Sequence, residues 1–281
     1  MIHDKEDSRL TPPTERFVPD SFRRRLYTLV MNAVVYPLLI FQTLIFILFA
    51  PVVLPLARLF SPFSMGYLVR YFIWIYGRVW MALMSLFVRF ERIGLTRENF
   101  PAPSIIVVNH LSFFDIFCMG ALPEFNIAFT VRAWPFRMFW YAPFMRLAGY
   151  VNMESLDMEE ALAQCRRRLE NGVSLVFFPE GHRSRNGKLT RFYSGAFKLA
   201  IESGTPVVPV CITGTDQLLP RASFCMAPAT VRLKALSVFK PEQYAGESAH
   251  VELRKQVKAS MAGAIENMRG KPVSQSTSSP K

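Results

Sequence analysis

Two short polar segments, 109–115 (NHLSFFD) and 178–185 (FPEGHRSR), each follow an uninterrupted apolar run. His110 precedes a carboxylate, Asp115, by five residues. On one ideal helix that spacing separates the two side chains by about 140°, so they meet only if His110 lies in a turn and Asp115 in the first turn of a helix starting near Ser112. An imidazole held in one tautomer by a carboxylate takes a proton from a hydroxyl, a contribution of about 10²–10⁴ in rate. Ser112-x-x-Asp115 also fits a capping box, which would only start the helix, and a lone histidine also serves as a core or turn residue. The sequence contains no G-x-S-x-G elbow and no cysteine in a plausible elbow, so the economical chemistry is direct attack by a substrate hydroxyl. In the second segment Glu180 and Gly181 form a tight turn, and Arg183 offers a guanidinium suited to a phosphate. Arg132, Arg185, Lys188 and Arg191 either thicken a positive mouth or are surface charges.

Positioning these groups requires an α/β unit. Short β-branched runs at 104–108, 127–131, 174–178, 207–212 and 230–239 read as strands. They alternate with helical patterns near 113–122, 157–170, 193–202 and 247–268. The fold class expected is α/β, with a mixed, largely parallel sheet flanked by helices and an N-terminal hydrophobic helical hairpin as membrane anchor. In such a sheet both polar segments emerge at the carboxyl edge, where open α/β folds bind ligands. The helix near Asp157 has a capping-box-like start with Glu160, and its apolar face carries Met158, Ala161, Leu162, Cys165 and Leu169.

Residues 27–57 contain no charge, 31 residues where about 20 suffice to cross a bilayer. Pro37, Pro51 and Pro55 speak against a single straight helix there. Residues 65–88 read as an amphipathic helix whose arginines, Arg70, Arg78 and Arg89, form a basic stripe suited to lipid headgroups. The domains expected are a flexible lead-in at 1–25, membrane-anchoring helices at 26–90, a catalytic domain at 91–269 and a disordered tail at 270–281.

With 281 residues, 51% of them hydrophobic, and a formal net charge of +12, the chain is neither disordered nor collagen-like and suits anionic, lipid-rich partners. Its cations are dispersed without a zinc, helix-turn-helix or aromatic-basic signature, which excludes nucleic acid as the expected partner. Four widely spaced cysteines suggest neither a disulfide framework nor a metal site, and no metal is expected.

The sequence resembles the membrane glycerolipid acyltransferase family, the group containing 1-acylglycerol-3-phosphate acyltransferases. The carriers are N-H-x-x-x-x-D at His110 and Asp115, F-P-E-G-x-R at 178–183, F-x-x-G-A-F at 192–197 and V-P-V-x-I-x-G at 208–214. The resemblance implies acyl transfer from acyl-CoA or acyl carrier protein, as co-substrate rather than cofactor, to the 2-hydroxyl of lysophosphatidic acid. It implies that His110 is the general base, Asp115 its orienting partner, and Glu180, Gly181 and Arg183 part of an acceptor site that Asn109 and Arg132 extend. It also implies a protein on the cytoplasmic face of a membrane, the inner membrane if bacterial. Position 182 is His where the family usually has Thr or Ser, and 149–155 lacks an arginine common there, so another lysolipid such as lyso-ornithine lipid is an alternative acceptor. A catalytically silent membrane scaffold on the same fold is the other alternative.

Overall fold

The computed structural model describes residues 21–221 and 223–270. The expected tail beyond residue 270, and all of the expected lead-in except residues 21–25, lie outside the described residues. The chain opens with α1 (Ser21–Leu59), which continues through Pro37, Pro51 and Pro55 as one helix. Three missing donors do not end it, because breaking an apolar segment would leave more backbone groups unpaired than the prolines do. At 1.5 Å per residue α1 is about 58 Å long, nearly twice a bilayer's hydrocarbon thickness. It is the one helix among the described residues that is long and apolar enough to cross a membrane, and it associates the protein with membranes.

Residues 60–64 reverse the chain into α2 (Met65–Met84), whose N-terminus is capped by Ser64 accepting from the Tyr67 amide. The two helices form an antiparallel hairpin: Tyr27 meets Phe87, Gln42 Nε2 donates to the Tyr76 carbonyl at 2.8 Å, and the Phe46 ring lies 4.9 Å from Phe72. One stripe of α1, including Met31, Val35, Ala50 and Leu54, is buried, while Phe41, Leu44 and Leu48 among others are bare. Nearer its start α1 is clamped to the rest of the molecule, since Asn32 both donates to the Met226 carbonyl and accepts from the Met226 amide, each at 2.8 Å.

The expected basic stripe on α2 is corrected at Arg70, while Arg78 and Arg89 are exposed. Arg70 is buried, donating from Nε to Asn126 Oδ1 at 2.7 Å and from its terminal nitrogen to the Ala148 carbonyl at 3.0 Å. Burial lowers its pKa to about 10, with Arg168 adding to the effect. Arg70 thus faces protein rather than headgroups, and Arg78 lies over the Trp74 ring at 4.6 Å. Trp80 stacks on Phe117 with ring centroids 5.0 Å apart, and Trp74 Nε1 donates to the Leu122 carbonyl at 3.0 Å. At the crossing Gly77 meets Gly120 so closely that a Cβ on Gly120 would lie 2.6 Å from the Gly77 carbonyl carbon.

The remainder of the chain is an α/β unit with seven strands: β1 (Arg89–Ile93), β2 (Ile105–Val108), β3 (Ile127–Val131), β4 (Val151–Asn152), β5 (Ser174–Phe177), β6 (Val207–Thr213) and β7 (Thr230–Ala235). Their order is β1-β7-β6-β2-β5-β3-β4. From β6 to β4 all neighbours are parallel; β7 runs antiparallel to β6, and β1 is parallel to β7. β2, β5 and β6 are buried along their whole length, as strands covered on both faces must be, which is why they are uninterrupted apolar runs. The helices are α3 (Asp115–Cys118), α4 (Ala142–Ala148), α5 (Met158–Glu170), α6 (Gly195–Ser203), α7 (Thr215–Leu218) and α8 (Ala249–Gly270). On α5, Asp157 accepts from the Glu160 amide at 2.7 Å, and Ala161, Leu162, Cys165 and Leu169 are buried as expected, whereas Met158 is exposed.

Candidate active site

The ends of β2 and β5 lie side by side and are tied together by two bonds across the sheet edge. The His110 amide donates to Glu180 Oε1 at 2.9 Å, and the Ser184 amide donates to the His110 carbonyl at 2.8 Å. Asn109 ties β2 to its other neighbour: its side chain donates to the Ile212 carbonyl at 2.9 Å and accepts from the Ile212 amide at 2.7 Å. Asn109 and Glu180 are buried. The second Glu180 oxygen accepts from the Thr190 amide and hydroxyl, at 2.9 and 2.8 Å. Both oxygens of that carboxylate therefore hold backbone in place.

His110 Nδ1 lies 2.8 Å from Asp115 Oδ2. That oxygen also accepts from the amides of Leu111 and Ser112, at 2.6 and 2.8 Å. The capping and orienting readings of Asp115 are thus compatible, because one oxygen takes the amide near the helix start and the imidazole together. Oδ1 accepts from the Thr215 hydroxyl at 2.6 Å. With three donors besides the imidazole, the Asp115 carboxylate is placed as an acceptor, the arrangement that suits the tautomer with its proton on Nδ1 and the lone pair on Nε2. The His110 ring packs on Phe178 with centroids 4.5 Å apart, and its side chain is 20% exposed.

Thr215 is a site residue that the sequence reading missed. It follows Gly214, whose φ of +88° turns the chain at the end of β6, and a buried hydroxyl just past a glycine carries no local signal of its partner 100 residues away. Arg221 is a second. It lines the same cavity as Arg183, and its terminal nitrogen donates to the Arg183 carbonyl at 3.3 Å. Arg183 is half-buried at the mouth. Gly181, with φ of +70°, keeps the turn clear of Tyr193, whose ring a Cβ there would approach to 2.9 Å. Arg132 also lines the cavity, but it is paired with Glu154 at 2.5 Å. The Ala133 amide first, and Arg132 second, hold the Glu154 carboxyl below its usual value.

The cavity has a volume of about 750 Å³. It starts at His110 and Arg183, follows the alternating residues Ile127, Phe129 and Val131 along one face of β3, and is closed by Phe46 and Thr43 of α1 and by Phe72 and Tyr76 of α2. An apolar slot with cations and one lone-pair imidazole at its entrance suits an amphiphile whose polar group reacts at the rim. No cysteine is among the residues lining the cavity: Cys225 is exposed away from the lining, while Cys118, Cys165 and Cys211 are buried, and burial pushes Cys165 and Cys211 up to about 12 and Cys118 well above its usual value. Among the described residues no group of three or more His, Cys, Asp and Glu could hold a metal ion.

Residues 92–213 match the acyltransferase family profile. A chloroplastic 1-acyl-sn-glycerol-3-phosphate acyltransferase of Arabidopsis thaliana is 31% identical over 176 residues, 60% of this chain and 47% of that protein. A 1-acyl-sn-glycerol-3-phosphate acyltransferase of Saccharomyces cerevisiae is 31% identical over 157 residues, covering 52% and 50%. The chain thus spans about half the length of these curated relatives. The crystal structure of the 1-acyl-sn-glycerophosphate acyltransferase PlsC from Thermotoga maritima is similar with a TM-score of 0.71 and 25% identity, covering 90% of this chain and 99% of that one.

Proposed function

We propose, from the premise that residues 92–213 form an acyltransferase domain, that this protein moves a fatty acyl group from an acyl thioester to the 2-hydroxyl of lysophosphatidic acid, giving phosphatidic acid. The observation that carries this reading is the His110–Asp115 pair at the mouth of an apolar cavity rimmed by Arg183 and Arg221. The acyl chain lies in the cavity and the acceptor phosphate lies against Arg183. His110 Nε2 takes the proton of the acceptor hydroxyl as its oxygen attacks the thioester carbonyl. The C–O bond forms, the tetrahedral oxyanion collapses, the C–S bond breaks, and the proton passes from the imidazolium to the departing thiolate. A thiol of pKa about 8.5 leaves far more readily than an alkoxide, so no second acid is needed. Asn109 and Glu180 serve as positioning residues through the backbone of His110, Gly181 shapes the turn beneath Arg183, and Arg132 flanks the mouth. The donor is acyl-CoA or an acyl carrier protein.

The helix pair lies along the catalytic unit and dips into one leaflet, and the unit at 91–269 faces the cytoplasm, where acyl thioesters are made. The test is transfer by the purified full chain in detergent, from labelled acyl-CoA and acyl carrier protein to a panel of lysolipids. Transfer to lysophosphatidic acid first is expected; transfer to none overturns the reading, and preference for a phosphate-free acceptor overturns the substrate. Arg183→Ala should raise KM for the phosphate-bearing acceptor about 10–100-fold, the worth of one charge-assisted bond, while the donor KM stays put. Thr215→Val should lower kcat about tenfold through loss of one bond to Asp115, with the fold retained by circular dichroism.

A further inference from the structure

A cluster of exposed aromatic side chains lies beside the cavity. The segment between β3 and α4 has the sequence RAWPFRMFWY over 132–141. Trp134 is 51% exposed, Phe139 82% and Trp140 43%, and the Phe139 and Trp140 rings meet edge to face with centroids 4.9 Å apart. Large aromatics left bare in a cluster are costly in water and mark a contact surface. The charge around them is net positive: residues 132–150 include Arg132, Arg137 and Arg146 and no carboxylate, and among the described residues the one carboxylate bonded to the segment, Glu154, pairs with Arg132. Tryptophan and arginine together suit the layer between headgroups and acyl chains of an anionic bilayer.

The location argues for the same occupant. Trp134 and Trp140 line the same cavity as Phe46 and Thr43 of α1. A relay of rings joins the two sides, from Phe46 to Phe72 at 4.9 Å and from Phe72 to Phe144 of α4 at 6.2 Å. The relay ends four residues beyond Trp140, so α1 and the bare aromatic segment flank one cavity.

We propose that Trp134–Trp140 is a second membrane-contact element, seated in the interface of the leaflet that holds α1. The cavity mouth between it and α1 then opens sideways into lipid, and the acceptor enters laterally without crossing water. This rests on the proposed acyl transfer only for the nature of the entering lipid.

The test uses the full chain in vesicles of mixed zwitterionic and anionic phospholipid. The tryptophan emission that a Trp134→Phe, Trp140→Phe double variant lacks reports on this segment alone. That emission is expected to lose most of its intensity with lipids brominated near the glycerol end of the chain and to keep it with lipids brominated near the methyl end. Emission unaffected by either lipid overturns the proposal, and so does cross-linking through this segment between two copies. Phe139→Asp, which lies outside the cavity lining, should lower turnover of vesicle-embedded acceptor about tenfold and leave turnover of detergent-dispersed acceptor as it was. Equal losses in both media would overturn lateral entry. Quenching needs no turnover, so an inactive but quenched protein would count against the acyl transfer and not against the contact.

Discussion

His110→Ala is expected to lower kcat by about 10³–10⁴-fold, measured as acyl transfer from a labelled thioester under saturating donor and acceptor. Among the described residues the His110 imidazole is the one group that both lines the cavity and is held by a buried carboxylate. The fold should survive, because the bonds that tie this turn to its neighbours come from the His110 backbone: its amide to Glu180 and its carbonyl from Ser184. Asp115 also keeps its amide and hydroxyl donors when the ring is gone. The variant should therefore melt within a few degrees of the parent and retain acceptor binding. A rate within tenfold of the parent would remove His110 from the base role.

Gly214→Ala is expected to be the most damaging single substitution to stability, about 3–5 kcal/mol, read from urea unfolding of the detergent-solubilised chain. At φ of +88° an added Cβ would stand 2.1 Å from the Thr230 carbonyl oxygen, which is backbone of the neighbouring strand and has nowhere to go. β6 and β7 would have to separate, and Thr215 would move off Asp115 with them. Soluble expression at the parent level with an unchanged unfolding midpoint would show that the turn adapts.

The strand ends were legible because β2, β5 and β6 are buried on both faces and so must be written as apolar runs, with polar residues at the point where the sheet stops. Spacing permits the His110–Asp115 geometry without dictating it, since five residues forbid one helical face and allow a turn followed by a helix, while capping is an equal reading of Asp115. β1 has the sequence RFERI and presents no apolar run, and β4 has two residues, so neither offered a pattern to read. The reversal of β7 is set by pairing with β6 and leaves no trace in its own residues. Periodicity located the arginine side of α2 but not what it faces, because the partners of Arg70, Asn126 and Ala148, lie 56 and 78 residues on. For the same reason Thr215 and Arg221 became visible only with the fold in hand. The two oxygens of Glu180 illustrate the general limit: sequence names a carboxylate, and only packing says whether it faces a ligand or the backbone.

The contact of Gly77 with Gly120 bears on how this protein could be cut down. Since α2 is seated on the β2–β3 connection with no room for even a methyl group at Gly120, stripping both hydrophobic helices would uncover Phe114 and Phe117, on which Trp80 packs, and leave a sticky remnant. A shortened version meant to stay in solution should instead begin in the bend at 60–64, discarding the greasy first helix and keeping the second as a stave of the cavity's own wall.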